Sequence, residues 1–356
     1  MSLDRLRAWL GPAGVDAAVV TRPVSIAYLT GFHANPMERL MALVVKEDGA
    51  AFVVPTLERE NAAAVATDVR VVGWDDGDDP FRVLAGALGN ARRLAVEKDH
   101  LTLARADEIR RRSGAAELID CGGELRRLRA VKSPRELVLL RQAAETTDRV
   151  TAELLRSARA GDTERELANR IAELIFAAGC DLSFGSLAQS GPNSALPHLG
   201  PTGRPLAPGD LLLLDFGAAC SGYCADTTRM AVVGEPDARQ REIYAAVRRA
   251  HDEAVSCVRP GATAGDVDAA ARRVLESAGL GDRFIHRVGH GLGLEAHEDP
   301  SLDPGSSEPL QEGMVITIEP GAYIPGWGGV RIEDDVVVEP AGGRLLTDYP
   351  RELQVL

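Results

Sequence analysis

The sequence predicts an α/β N-terminal domain followed by an α+β domain, and three observations carry that reading. Its 356 residues make about two domains at roughly 150 residues each. In the first third, short apolar runs alternate with segments of helical spacing, the mark of a sheet buried between helices. In the last two thirds, long helical patterns alternate with hairpin-like strand pairs at 210–233 and 313–339, which suggests helices covering an antiparallel sheet.

Taken in order, Leu3, Leu6, Trp9 and Leu10 fall at helical spacing, and the run from Asp16 to Val20 reads as a buried strand. Further strands are expected at 42–45, 51–54, 69–72 and 94–96, and helices at 57–66, 80–88 and 102–112. The stretch 121–133 reads as a link. After it, Ser133, Pro134 and Glu136 form a helix-start signature of N-cap, first-turn proline and capping acid. The domains are accordingly set at 1–125 and 126–356, and the second should hold helices at 134–158, 163–178, 239–256 and 265–278.

Composition excludes several classes of function. Apolar residues at 45% and charged residues at 26% are ordinary for a folded chain. A net charge of −13 raises no field for phosphate backbones or anionic lipid, so nucleic acid is not an expected partner. The longest charge-free stretch, 182–203, is rich in Gly, Ser and Pro and carries His198, so it is no membrane span. Charges scattered through the first 16 residues argue against a signal peptide. Five unpatterned cysteines suit reduced thiols in a cytoplasm.

The chemistry concentrates in two hairpins. In LLLLDFGAACSGYCADTTRMAVV, the midpoint between Asp215 and Asp226 falls in the turn at Cys220 and Ser221, so the two acids are expected to oppose each other. In MVITIEPGAYIPGWGGVRIEDDVVV, Glu319 and Glu333 are likewise centred on Gly326. Carboxylates that close repel unless a proton or cation lies between them, and burying four of them uncompensated is prohibitive. Oxygen ligands in that number favour Mn²⁺ or Mg²⁺, and one imidazole moves the preference toward Mn²⁺, Co²⁺ or Zn²⁺.

That imidazole is expected to be His290, flanked by glycines that let backbone approach closely. His297 and His198 are the candidates to stabilise an oxyanion in a hydrolase. Isolated His33, His100, His251 and His286 are expected to be structural or solvent-facing. GHGLG lacks the strand and helix of a nucleotide site. Cys220 and Cys224 lack a second ligand pair for zinc and read as bystander thiols.

The ordered set LDFGA, ADTTR, GHGLGLEAHE, TIEPG and VRIED resembles the pita-bread metallopeptidases, which include prolidase, aminopeptidase P, methionine aminopeptidase and creatinase. The resemblance implies a pita-bread second domain with two divalent ions per subunit. Asp226 and Glu333 would bridge both, Asp215 would complete one site, and His290 with Glu319 the other. It further implies Glu319 as proton shuttle, His198 and His297 as stabilisers of the tetrahedral intermediate, and Thr228 and Arg331 as groups that orient ligands.

The run DAAVVTRPVSIAYLTGF resembles the creatinase-like N-terminal domain of prolidase and aminopeptidase P, which methionine aminopeptidases lack. Intact ligands disfavour creatinase chemistry. The loop GFHANPMERLMALVV is similar to that of short bacterial Xaa-Pro dipeptidases, although Asn35 stands where their Asp would be. Some prolidases have an Arg four residues after the His297 position, where this chain has Ser301. Arg39 is therefore the candidate clamp for a substrate carboxylate, with Glu38 and Tyr223 as further substrate-binding candidates. The implied function is hydrolysis of proline-containing dipeptides by a cytoplasmic homodimer. Xaa-Pro aminopeptidase activity on longer peptides is the alternative, and a retired peptide-binding scaffold the remote one.

Overall fold

The computed structural model describes residues 2–356, which form two compact units, 2–129 and 130–356. The N-terminal unit holds a six-stranded mixed sheet in the spatial order Arg70–Trp74, Gly49–Pro55, Ala42–Lys46, Ala17–Val20, Arg93–Val96, Glu117–Asp120. Ala17–Val20 lies in the middle and is buried throughout, which is why it reads as an unbroken apolar run. Helix Pro80–Leu88 starts where Asp79 accepts from the Phe81 and Arg82 amides.

Two segments differ from expectation. The helix expected at 57–66 opens as a 3₁₀ turn, Thr56–Glu58, before Arg59–Val65. The stretch read as a link contains the helix Gly122–Ala130. A further helix, Pro23–Thr30, lies in the run matched only by resemblance. Five of its eight residues are buried, so it shows no amphipathic stripe to betray it.

In the second unit, Ser133 accepts from the Glu136 amide while Glu136 accepts from the Ser133 amide, and helix Pro134–Ser157 follows. Helices Glu164–Ala177, Ala238–Cys257 and Ala264–Ser277 begin with the same reciprocal cap. They flank antiparallel strands whose residues alternate between two cores. Leu211 and Leu213 pack with Val247, Val267 and Ala271, whereas Leu212, Leu214 and Phe216 pack with Leu154, Leu167 and Ile171. Strands Leu211–Phe216 and Thr227–Val232 form one hairpin, Val315–Ile318 and Asp334–Glu339 the other. No helix among the described residues is long and apolar enough to cross a membrane.

The expectation of five reduced thiols is corrected. Ala218 pairs with Leu182 and Ala219 with Asp181, which brings Cys220 opposite Cys180 at a Cα separation of 4.7 Å, and the two are bonded as a disulfide. Cys121, Cys224 and Cys257 are free, and burial pushes the Cys224 thiol up to about 12, which suits a bystander.

Candidate metal centre and cavity

The second hairpin has the register its sequence implies. Ile318 pairs with Asp334, so the next position sets Glu319 against Glu333, and the strand pair Gly321–Ile324 and Gly328–Arg331 carries the hairpin on to its turn. The first hairpin is corrected by one step at its turn. Cys220 pairs with Tyr223 around Ser221 and Gly222, both at positive φ, so Asp215 faces Thr228 rather than Asp226. Asp226 lies two residues along on the same face, diagonal to Asp215. Gly217 allows this closure, since a Cβ there would lie 1.7 Å from the Ala225 carbonyl oxygen.

His290 enters on the short strand His290–Gly291, wedged between Val315–Ile318 and Glu298–Ser301. Its flanking glycines are required by backbone proximity. A Cβ at Gly289 would meet the Thr317 carbonyl oxygen at 1.9 Å, and one at Gly291 the Asp299 carbonyl oxygen at 2.1 Å. Lys132 and Glu298, both buried, pair at 3.3 Å, and Glu298 accepts from the Leu294 and Glu295 amides, which holds the loop that carries His297.

Side chains converge around a cavity of about 690 Å³ whose lining includes Phe184, His198, Asp215, His290, Glu319 and Glu333. Ligand atoms within 4.8 Å of one another form three overlapping sets: Asp226, His290 and His297; His290, Glu319 and Glu333; Asp215, Asp226 and Glu333. All five expected ligands are brought together, and His297 joins them. Asp215 has one buried oxygen with no hydrogen-bond partner. Burial and mutual repulsion hold Asp226 and Glu333 well above the usual carboxylate range, and burial pushes Glu319 up to about 7. Burial also lowers His290 to about 3, which leaves its imidazole neutral and free to ligate. A hard, oxygen-rich donor set with one neutral imidazole and an unpaired carboxylate oxygen fits divalent cations.

Thr228 and Arg331, expected to orient ligands, touch the candidate ligands and each other. Thr228 donates to Glu333 at 2.6 Å, Arg331 donates to Thr228 at 2.9 Å, and Arg331 also pairs with Asp215. His198 lines the cavity, and the ring centres of His297 and His290 lie 4.1 Å apart. Tyr223 is not brought to the cluster, because its hydroxyl donates to Glu136 at 3.2 Å. In the N-terminal unit, Arg39 donates twice to Asp76 at 3.1 Å and lies 3.7 Å from Glu38.

His286, expected to be structural or solvent-facing, also reaches the cavity. It lines the cavity and accepts from Tyr323 at 2.9 Å, while Tyr323 accepts from Arg331 at 2.6 Å. Burial lowers His286 to about 4, so it stays neutral in that chain of bonds. Tyr323 and Arg287 carried no sequence signal as single residues.

Residues 138–340 match metallopeptidase family M24, and residues 3–131 match the creatinase/prolidase N-terminal domain. An Xaa-Pro dipeptidase of Lactobacillus delbrueckii subsp. lactis is 38% identical over 364 residues, covering 100% of this chain and 99% of its own. The solved Xaa-Pro dipeptidase from Bacillus anthracis matches with a TM-score of 0.94 at 34% identity, over 100% of this chain and 99% of that one. X-Pro aminopeptidase from Thermotoga maritima matches with a TM-score of 0.92 at 30% identity, over 100% of both chains. With its creatinase-type N-terminal domain, its pita-bread second unit and its paired carboxylates, the chain belongs to metallopeptidase family M24.

Proposed function

We propose that the protein hydrolyses Xaa-Pro dipeptides with two divalent ions per subunit, Mn²⁺ foremost and Co²⁺ or Zn²⁺ as substitutes. The observation that carries this reading is the set of three overlapping ligand clusters inside one cavity. In it, Asp226 and Glu333 would be shared between the ions, with Asp215, His290 and Glu319 as the remaining ligands that would hold them. When bound, the ions supply the Lewis acidity that polarises a scissile carbonyl. Glu319 takes a proton from the attacking water at its carboxylate and returns it to the departing proline nitrogen. His198 and His297 donate to the oxygen on which charge develops. Thr228 and Arg331 fix the carboxylates of Glu333 and Asp215.

Chelation followed by add-back of Mn²⁺ tests the metal, and full turnover by the stripped protein sinks it. Comparing Ala-Pro with Ala-Pro-Ala tests substrate length, and equal turnover of the two favours the aminopeptidase reading, which the Thermotoga maritima neighbour supports. Glu319→Gln should lose about 10²- to 10⁴-fold in kcat, and metal analysis beside turnover separates the lost proton transfer from the weakened ligand set. A homodimer in the cytoplasm completes the proposal. Gel filtration tests the dimer. Cell fractionation tests the compartment, and thiol counting on the protein from freshly lysed cells tests whether the Cys180–Cys220 bond persists there, since disulfides are rare among reduced thiol pools.

A further inference from the structure

His198 lines the cavity from an exposed loop, and a single buried side chain ties that loop to the sheet. Before the loop, the 3₁₀ turn Gly191–Ala195 sits tightly on strand Gly328–Arg331, where the Gly329 amide donates to the Ser194 hydroxyl at 2.8 Å. After it, Thr202 donates to buried Glu164 from its amide at 2.9 Å and from its hydroxyl at 2.6 Å. Between these anchors, apart from turn bonds within 193–199, hydrogen bonds reach 196–201 only from Gln189 among the described residues. Its Nε2 donates to the Leu196 and Leu199 carbonyls, both at 2.8 Å, and the two acceptors bracket His198.

Gln189 is fully buried on strand Leu187–Ser190. Leu187, two residues earlier and so on the same face, pairs with Asp215 and lines the cavity. The Oε1 of Gln189 is buried without a hydrogen-bond partner, a cost that an apolar residue there would avoid. Its amide nitrogen, by contrast, has a partner for each of its two hydrogens. Turning the amide over would set Oε1 against two carbonyl oxygens, so the hydrogen bonds fix its orientation. We propose that Gln189 is a positioning residue, which by tying Leu196 and Leu199 sets where the His198 imidazole stands in the cavity. An exposed side chain on a loop has no packing of its own to hold it, and a donor to developing charge works only when it is already in place. The inference deepens the proposed hydrolysis and rests on the role it gives His198.

The test is a double-mutant cycle on the full-length, Mn²⁺-loaded enzyme with Ala-Pro as substrate. Gln189→Met keeps the length and burial of the side chain while removing both donors and the unpartnered acceptor. The two carbonyls it releases lie on an exposed loop where water can meet them, so the fold should survive. The substitution should lower kcat by about 10- to 100-fold, the scale of a misplaced group at the reacting atoms, with KM and metal content little changed. In the His198→Ala background it should change kcat by less than about 3-fold, because the group it positions is gone. An equal loss in both backgrounds, or none in either, would overturn the assignment, as would a His198→Ala variant as active as wild type. NMR of isotope-labelled histidine in the Zn²⁺-loaded protein gives a readout that needs no turnover. The His198 ring resonance, identified by its loss in His198→Ala, should move in Gln189→Met and Gln189→Leu while that of His100 stays. An unmoved His198 resonance in both variants overturns the proposal. Absence of Ala-Pro turnover by wild type would instead overturn the Xaa-Pro reading, and the resonance alone then decides the role of Gln189.

Discussion

Glu333 and Asp334 are consecutive, both are buried, and they live in opposite electrostatic worlds. Alternation along an extended chain sends their side chains to opposite faces. Glu333 looks toward Asp226 and Glu319, where burial and like charges hold its carboxyl well above the usual range. Asp334 looks toward cations. It accepts from Arg229 at 2.7 Å and Thr347 at 2.6 Å, pairs with Arg351, and has His251 Nε2 at 2.9 Å. Burial alone would raise its carboxyl too, yet those neighbours hold it well below the usual range. A buried acid surrounded by its own cations is structural, whereas a group of buried acids short of them is built for a cation from outside.

The largest expected effect separates the two faces through activity. Asp226→Ala should remove metal from the protein and lower kcat/KM on the order of 10³-fold, because Lewis-acid assistance is worth several kcal/mol. Metal analysis beside turnover checks it, and a variant that stays loaded and active breaks the assignment. On the other face, Asp334→Ala strands Arg229 and Arg351 in the interior. It should cost about 3–5 kcal/mol of stability by denaturant unfolding, while folded molecules bind metal as before.

The sequence made one of these faces legible and not the other. Paired acids equidistant from a turn are a local pattern, and the long hairpin around Gly326 kept the register implied by its equal arms. The shorter hairpin slipped by one step because its Ser221-Gly222 turn, with both central residues at positive φ, sets the pairing. That dipeptide is itself a two-residue turn signal. Asp334 draws its partners from positions 229, 251, 347 and 351, which no spacing rule connects. Helix Pro23–Thr30 was hidden for a different reason, its burial on all sides. The Cys180–Cys220 bond depends on a strand pairing 40 residues apart in sequence.

A pH titration of metal binding sharpens the comparison. In the metal-free protein, Asp226 and Glu333 are held well above their ordinary values and Glu319 is raised to about 7, so these groups carry protons that an incoming cation must displace. Raised carboxyl values make affinity fall as pH is lowered through about 7, roughly tenfold per pH unit for each proton displaced. His290, lowered to about 3, stays neutral and adds nothing in that window. Mn²⁺ titrations by calorimetry between about pH 8 and about pH 5.5 measure the slope. A flat profile means that the carboxylates are already ionised and the repulsion is absent.

The smallest effect is the one that most directly opposes the two neighbours. Glu333→Gln keeps an oxygen to accept from Thr228, which donates to Glu333 at 2.6 Å, and replaces a group that burial and its neighbours make costly to ionise. A carboxyl raised in the folded state contributes most stability below the ordinary carboxylate range and loses it as pH rises. At neutral pH the metal-free variant should therefore be more stable than wild type, by on the order of 1 kcal/mol. The gain should shrink as pH is lowered toward about 4. Adding Mn²⁺ should reverse the order, since only wild type retains the full ligand set. Asp334→Asn should differ without metal, being less stable than wild type there and remaining so with Mn²⁺. Thermal melts of the two variants, with and without Mn²⁺, give four differences to compare. If Glu333→Gln destabilises the metal-free protein as Asp334→Asn does, the two carboxylates are equivalent, and the case for a cation drawn from outside loses its electrostatic basis.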